Sequence, residues 1–363
     1  MTKQSGKPDY SSIISSLPPE MVLNKIDIYS HVLPTAYLDV VKQHCKDPGL
    51  VKRMTSIRML WDIEARYNML DQWEGLSQVL TLALPSPDMI GDATQSPGFA
   101  RIANDAMADM VRAKPDKFPA FVAALPMNNI EASLAEMERA ITQLGAKGIQ
   151  INTMINGKGP DHPDFFPILE AATKQYKVPI WMHPFRPASM ADYPTEDKSQ
   201  YEIWQVLGWP YATSVAMARL VFSQVFDKLP DLRIITHHCG AMIPYFGGRA
   251  ETLWAQLGSR SDGNDYQGLL ERMAKKPIDY FKMFYADTVL GGSAAALRCG
   301  LEFFGPEKIV FASDCPFDPE GGPMFIREGI RSIEELDISE DEKKKIFLLN
   351  ALKLLGKDSA ASR

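Results

Sequence analysis

Short apolar runs alternate along this chain with longer stretches in which apolar residues recur at helical spacing, the pattern of successive βα units. The runs cover Lys25 to Tyr29, Gln78 to Leu84, Ala120 to Leu125, Gly148 to Ile151, Pro179 to Met182, Arg233 to His237, Lys282 to Ala286 and Lys308 to Ala312. Helical periodicity fills Ala103 to Ala113, Ile130 to Leu144, Pro163 to Tyr176, Ala212 to Lys228 and Asp341 to Leu355. Eight strands with helices between or after them predict a (β/α)8 TIM barrel rather than an open sheet. The spacing is uneven in two places. Pro34 to Leu76 is longer than one helix needs, and a Pro- and Tyr-containing stretch separates His183 from Tyr211. Both insertions, after strands 1 and 5, follow strand C-termini, where barrel enzymes carry substrate loops.

No internal repeat and no Pro/Gly/Ser linker divides the chain, so residues 21–356 are expected to form one barrel domain. Residues 1–20 and 357–363 read as flexible tails. The 363 residues carry a net charge of -6 with no lysine- or arginine-rich run, which argues against nucleic acid or anionic membrane as a partner. The polar N-terminus lacks the apolar core of a signal peptide, and no run reaches the length of a membrane span, so a cytoplasmic protein is expected. The four cysteines, Cys45, Cys239, Cys299 and Cys315, form no CxxC pair and predict no disulfide framework.

The chemistry is concentrated at strand ends. His31, His183, His237 and His238 close three of the apolar runs and Asp314 closes a fourth, and in a closed barrel these ends converge on one rim. Imidazoles and carboxylates placed in this way point to a divalent metal. A single strand-end histidine is more often a hydrogen-bonded structural residue; the joint placement carries the argument. His44 and His162 lack the pattern and read as surface groups. Adjacent residues on a strand face opposite sides, so His237 is expected to pack outward unless the strand end twists enough to admit a second metal. Asp287 ends strand seven and is read as supporting the site or, by preference, capping the next helix. Arg186 and Arg249 are candidates for holding a carboxylate, and Trp181, Trp204, Trp209 and Tyr211 for an apolar wall.

Several stretches together resemble the amidohydrolase-related barrels similar to aminocarboxymuconate-semialdehyde decarboxylase and the dihydroxybenzoate decarboxylases. They are Ile26-Asp27-Ile28-Tyr29-Ser30-His31, Trp181-Met182-His183-Pro184, Gly208-Trp209-Pro210-Tyr211, Leu229-Pro230-Asp231-Leu232, His238-Cys239-Gly240 through Pro244 and Arg249, and Ser313-Asp314-Cys315-Pro316. The resemblance runs from about Lys25 to Leu355. It implies a barrel of the metal-dependent hydrolase type in which His31, His183 and Asp314 ligate a divalent metal and His238 is the proton carrier, with His238 and Asp314 as the catalytic pair. It also suggests a homo-oligomer, or a hetero-oligomer with a related subunit.

The chain departs from the family at strand one. Many members carry His-x-His there and the dihydroxybenzoate decarboxylases resemble Glu-x-Ala or Glu-x-His, whereas this chain has Tyr29-Ser30-His31. A phenolate is a hard oxygen donor, so ligation by Tyr29 would move the site from zinc toward manganese or iron; the plainer alternative is that Tyr29 hydrogen-bonds a bound water or substrate. Non-oxidative decarboxylation of a small carboxylic acid is the leading expectation. The alternatives are O2-dependent hydroxylation at a dinuclear iron or manganese-iron centre, as in the related 2-aminoisobutyrate hydroxylase, supported by Tyr29 and His237, and an inactive metal-binding companion subunit, supported by Tyr29 alone.

Overall fold

The computed structural model describes residues 24–262 and 264–357, and all eight expected strands are present in it. They are β1 (Lys25–Val32), β2 (Leu76–Leu82), β3 (Ala123–Ala124), β4 (Ile149–Asn152), β5 (Ile180–His183), β6 (Ile234–Thr236), β7 (Tyr285–Asp287) and β8 (Ile309–Val310). The expected tail over residues 1–20 lies outside the described residues, as do residues 358–363. Every strand pair is parallel, from β1 on β2 and from β3 through β8 in order. A bridge between Leu80 and Phe121 joins β2 to the β3 segment. The Ile28 N–H donates to the Phe311 carbonyl at 2.9 Å, and the His31 N–H to the Cys315 carbonyl at 2.8 Å, so β8 returns to β1 and the ring closes. This is a (β/α)8 TIM barrel.

Two buried clusters separate the faces of the wall. Ile28, Tyr29, Val79, Val122, Trp181, Ile235, Tyr285, Val310 and Ala312 pack together from seven segments of the ring, which only the lumen can unite. Met182, Ile234, Ala286, Ile309 and Phe311, the alternate residues of the same strands, pack outward with the helices. The period of two therefore sends His183, His237, Asp287 and Asp314 inward, each two residues beyond a lumen residue.

Strand β1 breaks this period. Asp27 pairs with Gln78 and Ser30 with Leu80, so three steps on β1 oppose two on β2, which is a β-bulge. Ile28 and Tyr29 both join the lumen cluster as a result. Without the extra residue, continuation from Ile26 and Ile28 would place Tyr29 and His31 on the outer face.

Both insertions are where the spacing predicts them. Helices Thr35–His44, Pro48–Ser56 and Ile63–Leu70 follow β1, and an irregular stretch leads from β5 to the helix Gly208–Phe222. Asp47 and Asp62 accept backbone N–H groups at the first turns of two of these helices, as expected of N-caps. The predicted helix over 212–228 begins at Gly208, because Pro210 occupies a position in its first turn, where a missing N–H costs nothing.

Trp181 fills the lumen beneath the rim: it is fully buried and its indole N–H donates to the Ile28 carbonyl at 2.9 Å. A Cβ added at Gly148 would lie 2.2 Å from Trp181 Cζ3 and 2.6 Å from the Pro179 carbonyl oxygen. Gly148→Ala should therefore destabilise the protein by about 1–3 kcal/mol through overpacking. The urea midpoint reads this, and an unchanged midpoint would show that the tryptophan can move aside.

Candidate metal centre

At the C-terminal rim, β1, β5, β6 and β8 deliver His31, His183, His237 and Asp314 to one point. His31 Nε2 lies 3.1 Å from Asp314 Oδ1, and His237 Nε2 lies 3.4 Å from the same oxygen. The rings of His31 and His183 meet edge to face at 5.2 Å, and Tyr29 stacks on His237 at 4.3 Å. Two groups of three donors, His31 with His183 and His237, and His237 with His238 and Asp314, each have ligand atoms within 4.8 Å of one another.

His237 does not pack outward as expected. It continues the inward parity of Ile235, and its ring sits 1 % exposed with Nδ1 on Asp287 Oδ2. His238 comes in as well, because it leaves strand geometry: its φ is +55° and it opens a short 3₁₀ turn. Its ring is 4.2 Å from that of His237. Asp287 is not a helix cap. The next helix starts at Ala294 and is capped by Ser293, while Asp287 Oδ1 accepts the N–H groups of Cys239 at 2.9 Å and Val289 at 3.1 Å. Asp287 thus holds His237 from beneath and braces the turn that carries His238.

The electrostatics follow from burial and neighbours. Burial disfavours a charged His237, but Asp287 and Asp314 outweigh it and push its pKa up to about 10. Burial works against the Asp314 charge too, yet His237 holds its carboxyl well below the usual range. Burial, helped by His237, brings His238 down to about 4, and burial with the neighbouring imidazoles keeps His183 neutral. Burial and the charges of Asp287 and Asp314 raise the Tyr29 phenol.

These residues fit a divalent cation. Tyr29 Oη, His31 Nε2, His183 Nδ1 and His238 Nδ1 are buried without a hydrogen-bond partner. Thr81 Oγ1 donates to the Ser30 carbonyl at 2.9 Å and lies 3.0 Å from His31 Nδ1. With its one proton so used, Thr81 accepts from His31 Nδ1–H, which leaves the Nε2 lone pair facing an anionic oxygen. That contact is repulsive unless a cation lies between the two atoms. The two donor groups share His237, whose Nδ1 is already on Asp287.

The remaining candidates separate. Trp181 is the floor of the lumen and has no face for a substrate; the aromatic at the rim is Trp209, whose ring meets His183 at 5.5 Å and Trp204 at 5.7 Å. Arg186 is drawn into its own loop, with Nη2 donating to the carbonyls of Met190 at 3.0 Å and Ala191 at 3.1 Å. Arg249 is exposed on the helix Gly247–Trp254 and takes no part in the cluster. His44 and His162 lie away from it, half-buried against Phe99 and Phe165. Thr81 and Asp27 were not singled out in the sequence; an aspartate between Ile26 and Ile28 in an apolar run was the signal available for the second.

A closed barrel with a His/Asp cation site at its C-terminal rim is the architecture of a TIM-barrel metalloenzyme. The chain belongs to the amidohydrolase family, whose sequence profile matches residues 26–357. It is similar to 2-amino-3-carboxymuconate-6-semialdehyde decarboxylase of Dictyostelium discoideum, 28% identical over 355 residues that cover 92% of each chain. Among solved structures it is similar to 5-carboxyvanillate decarboxylase from Sphingomonas paucimobilis, with a TM-score of 0.79, 27% identity and coverage of 92% of this chain and 99% of that one. The dihydroxybenzoic acid decarboxylase of Polaromonas, with bound manganese and the inhibitor 2-nitroresorcinol, matches at a TM-score of 0.73 and 27% identity, covering 93% of this chain and 98% of that one.

The His237 shift carries a pH dependence. A raised imidazole pKa stabilises the folded, metal-free chain fully below the ordinary value of 6.5, and this contribution is lost as pH rises toward about 10. Asp287→Asn removes the largest charge responsible, so the fall in Tm across that window should be smaller in the variant. In 15N-histidine spectra one imidazole should titrate at markedly lower pH. An identical decline in both proteins would show that Asp287 does not hold the His237 charge.

Proposed function

We propose that this chain catalyses metal-dependent, non-oxidative decarboxylation of a small aromatic carboxylic acid. The observation that carries the reading is the convergence of His31, His183, His237 and Asp314 at one point of the rim, with His31 Nε2 and His183 Nδ1 buried there without a hydrogen-bond partner. His31, His183 and Asp314 would hold the cation, and the Tyr29 oxygen beside them would offer a hard donor. That donor, together with the manganese in the Polaromonas relative, makes manganese or iron the metal to test before zinc. When bound, the metal orients the substrate oxygens and draws electron density from the reacting centre.

Residues 21–356 act as one unit in this reading. Access is from the rim, where Asp314 keeps 16% of its side chain exposed while His31 and His237 are closed off. Trp209, beside His183, flanks a flat ring entering there. The carbon–carbon bond to the carboxylate breaks, its electron pair stays on the ring carbon, and a proton takes the place of the departing CO2. His237, set between Asp287 and Asp314, would hold this proton, and His238, whose ring lies 4.2 Å from that of His237, would deliver it to the carbon. The complete donor set speaks against an inactive companion subunit.

The names of the relatives suggest hydroxylated benzoates as first substrates, with CO2 release as the assay. His183→Ala should lose the metal and all turnover. His238→Ala should keep the metal and lower kcat by about 10²–10⁴, the usual share of a positioned proton carrier. Loss of metal from the His238 variant would make it a ligand instead, and O2 uptake without CO2 release would replace the lyase reading by an oxygenase one.

We also propose that the chain works as a homo-oligomer. Tyr201, Val206, Leu207 and Tyr211 are 55–88% exposed beside the second insertion, and Tyr245 is 78% exposed in the turn after β6. The Met242 N–H donates to Ser214 Oγ at 3.0 Å, which joins that turn to the helix Gly208–Phe222. An apolar surface of this kind fits a second copy of itself. Leu207→Asp should shift the sedimentation coefficient toward the monomer, and a monomeric unsubstituted protein would refute the assignment.

A further inference from the structure

Behind Tyr29 and His31, on the outer side of the barrel wall, lies a buried polar network that the proposed chemistry does not use. Asp27, Gln78 and Arg66 are all fully buried there. Gln78 Nε2 donates to Asp27 Oδ2 at 2.8 Å, and Arg66 Nε donates to Gln78 Oε1 at 2.9 Å. Arg66 Nη1 reaches the His31 carbonyl at 3.4 Å and the Met59 carbonyl at 3.3 Å, which ties the first insertion to the strand end. From the other side of the seam, the Ser313 N–H donates to Asp27 Oδ1 at 3.0 Å and its hydroxyl to Asp27 Oδ2. The Tyr29 N–H donates to Asp27 Oδ1 at 3.3 Å.

One carboxylate thus gathers donors from β2, from the segment after β8 and from inside the β1 bulge. A bulge leaves its extra residue out of the ladder, and the Tyr29 N–H finds its acceptor in Asp27. Ser313 immediately precedes Asp314. Asp27 is thus bonded both to the bulge that turns Tyr29 and His31 inward and to the residue that precedes Asp314.

We infer that Asp27 is a positioning residue for the metal centre, holding the β1 bulge against the β8 seam so that Tyr29, His31 and Asp314 meet at one point. This rests on the reading that His31 and Asp314 hold a divalent metal. Asparagine at position 27 keeps the shape, but its amide nitrogen would oppose a donor from Ser313 or Gln78. Ser313→Ala is the milder variant, removing the hydroxyl that donates to Asp27 and accepts the Cys315 N–H at 3.0 Å while leaving the carboxylate bonded to Gln78.

Mn(II) affinity, read from the free-ion signal by electron paramagnetic resonance, is measured beside Tm for the full-length protein. Asp27→Asn should weaken Mn(II) binding about 10–100-fold, the range for groups that orient ligands, and Ser313→Ala should weaken it in the same direction by less. Asn104→Ala is the control. It breaks another buried network, in which Asn104 Nδ2 donates to the Ala124 carbonyl at 2.9 Å and to Glu136 at 2.8 Å, and should lower Tm without moving Mn(II) affinity. Should Asp27→Asn fail to fold, Ser313→Ala decides. Variants that lose Tm as the control does but bind Mn(II) like the unsubstituted protein overturn the inference alone. Failure of the unsubstituted protein to bind Mn(II) overturns the metal reading and this inference with it.

Discussion

The structure depends most on the seam where β8 returns to β1. Parallel strands close into a barrel only if the last pairs with the first. Here that pairing also determines which donors meet. The Asp314 N–H bonds to the Tyr29 carbonyl at 3.1 Å, and the His31 N–H bonds to the Cys315 carbonyl at 2.8 Å. The seam that completes the ring therefore also sets Asp314 opposite Tyr29 and His31. The bulge in β1 supplies the remaining condition, since a shift of one residue on a strand exchanges its two faces.

Charge explains why such a rim has to be held firmly. Two carboxylates and four imidazoles, with a phenol, face one another where little water reaches, and each unpaired group there carries a desolvation cost. The protein compensates this from outside the cluster: Asp287 steadies His237, Thr81 sets the tautomer of His31, and Asp27 braces the backbone between them. A cation then balances a set of groups whose positions are already determined. His31, His183 and His237 are buried, whereas His238 and Asp314 stay partly open at the rim.

Most of the architecture was legible from alternation and length. The eight runs and both insertions were placed by sequence, because buried parallel strands are short and apolar and the long spacings cannot be single helices. The strand-end residues were legible for the same reason. What was not legible was local parity. The sequence reading left His237 between an outward and an inward position, whereas continuation from Ile235 turns it in, and the left-handed backbone at His238 then admits its neighbour too. Nothing in Ile26 to His31 signals an inserted residue, since a bulge is a property of the pairing and not of one strand. Trp181 misled for a related reason: it is close to His183 in sequence, but it points down the lumen and leaves the rim to Trp209.

The replacement at Tyr29 is best understood against this frame. A histidine at that position would present a neutral nitrogen to the cation, whereas tyrosine presents an oxygen whose proton is held by burial and by the charges of Asp287 and Asp314. Burial and those two charges oppose its ionisation, so Tyr29 is a buried phenol stacked on His237 whose oxygen has no hydrogen-bond partner, a hard donor atom where a histidine would place a softer nitrogen.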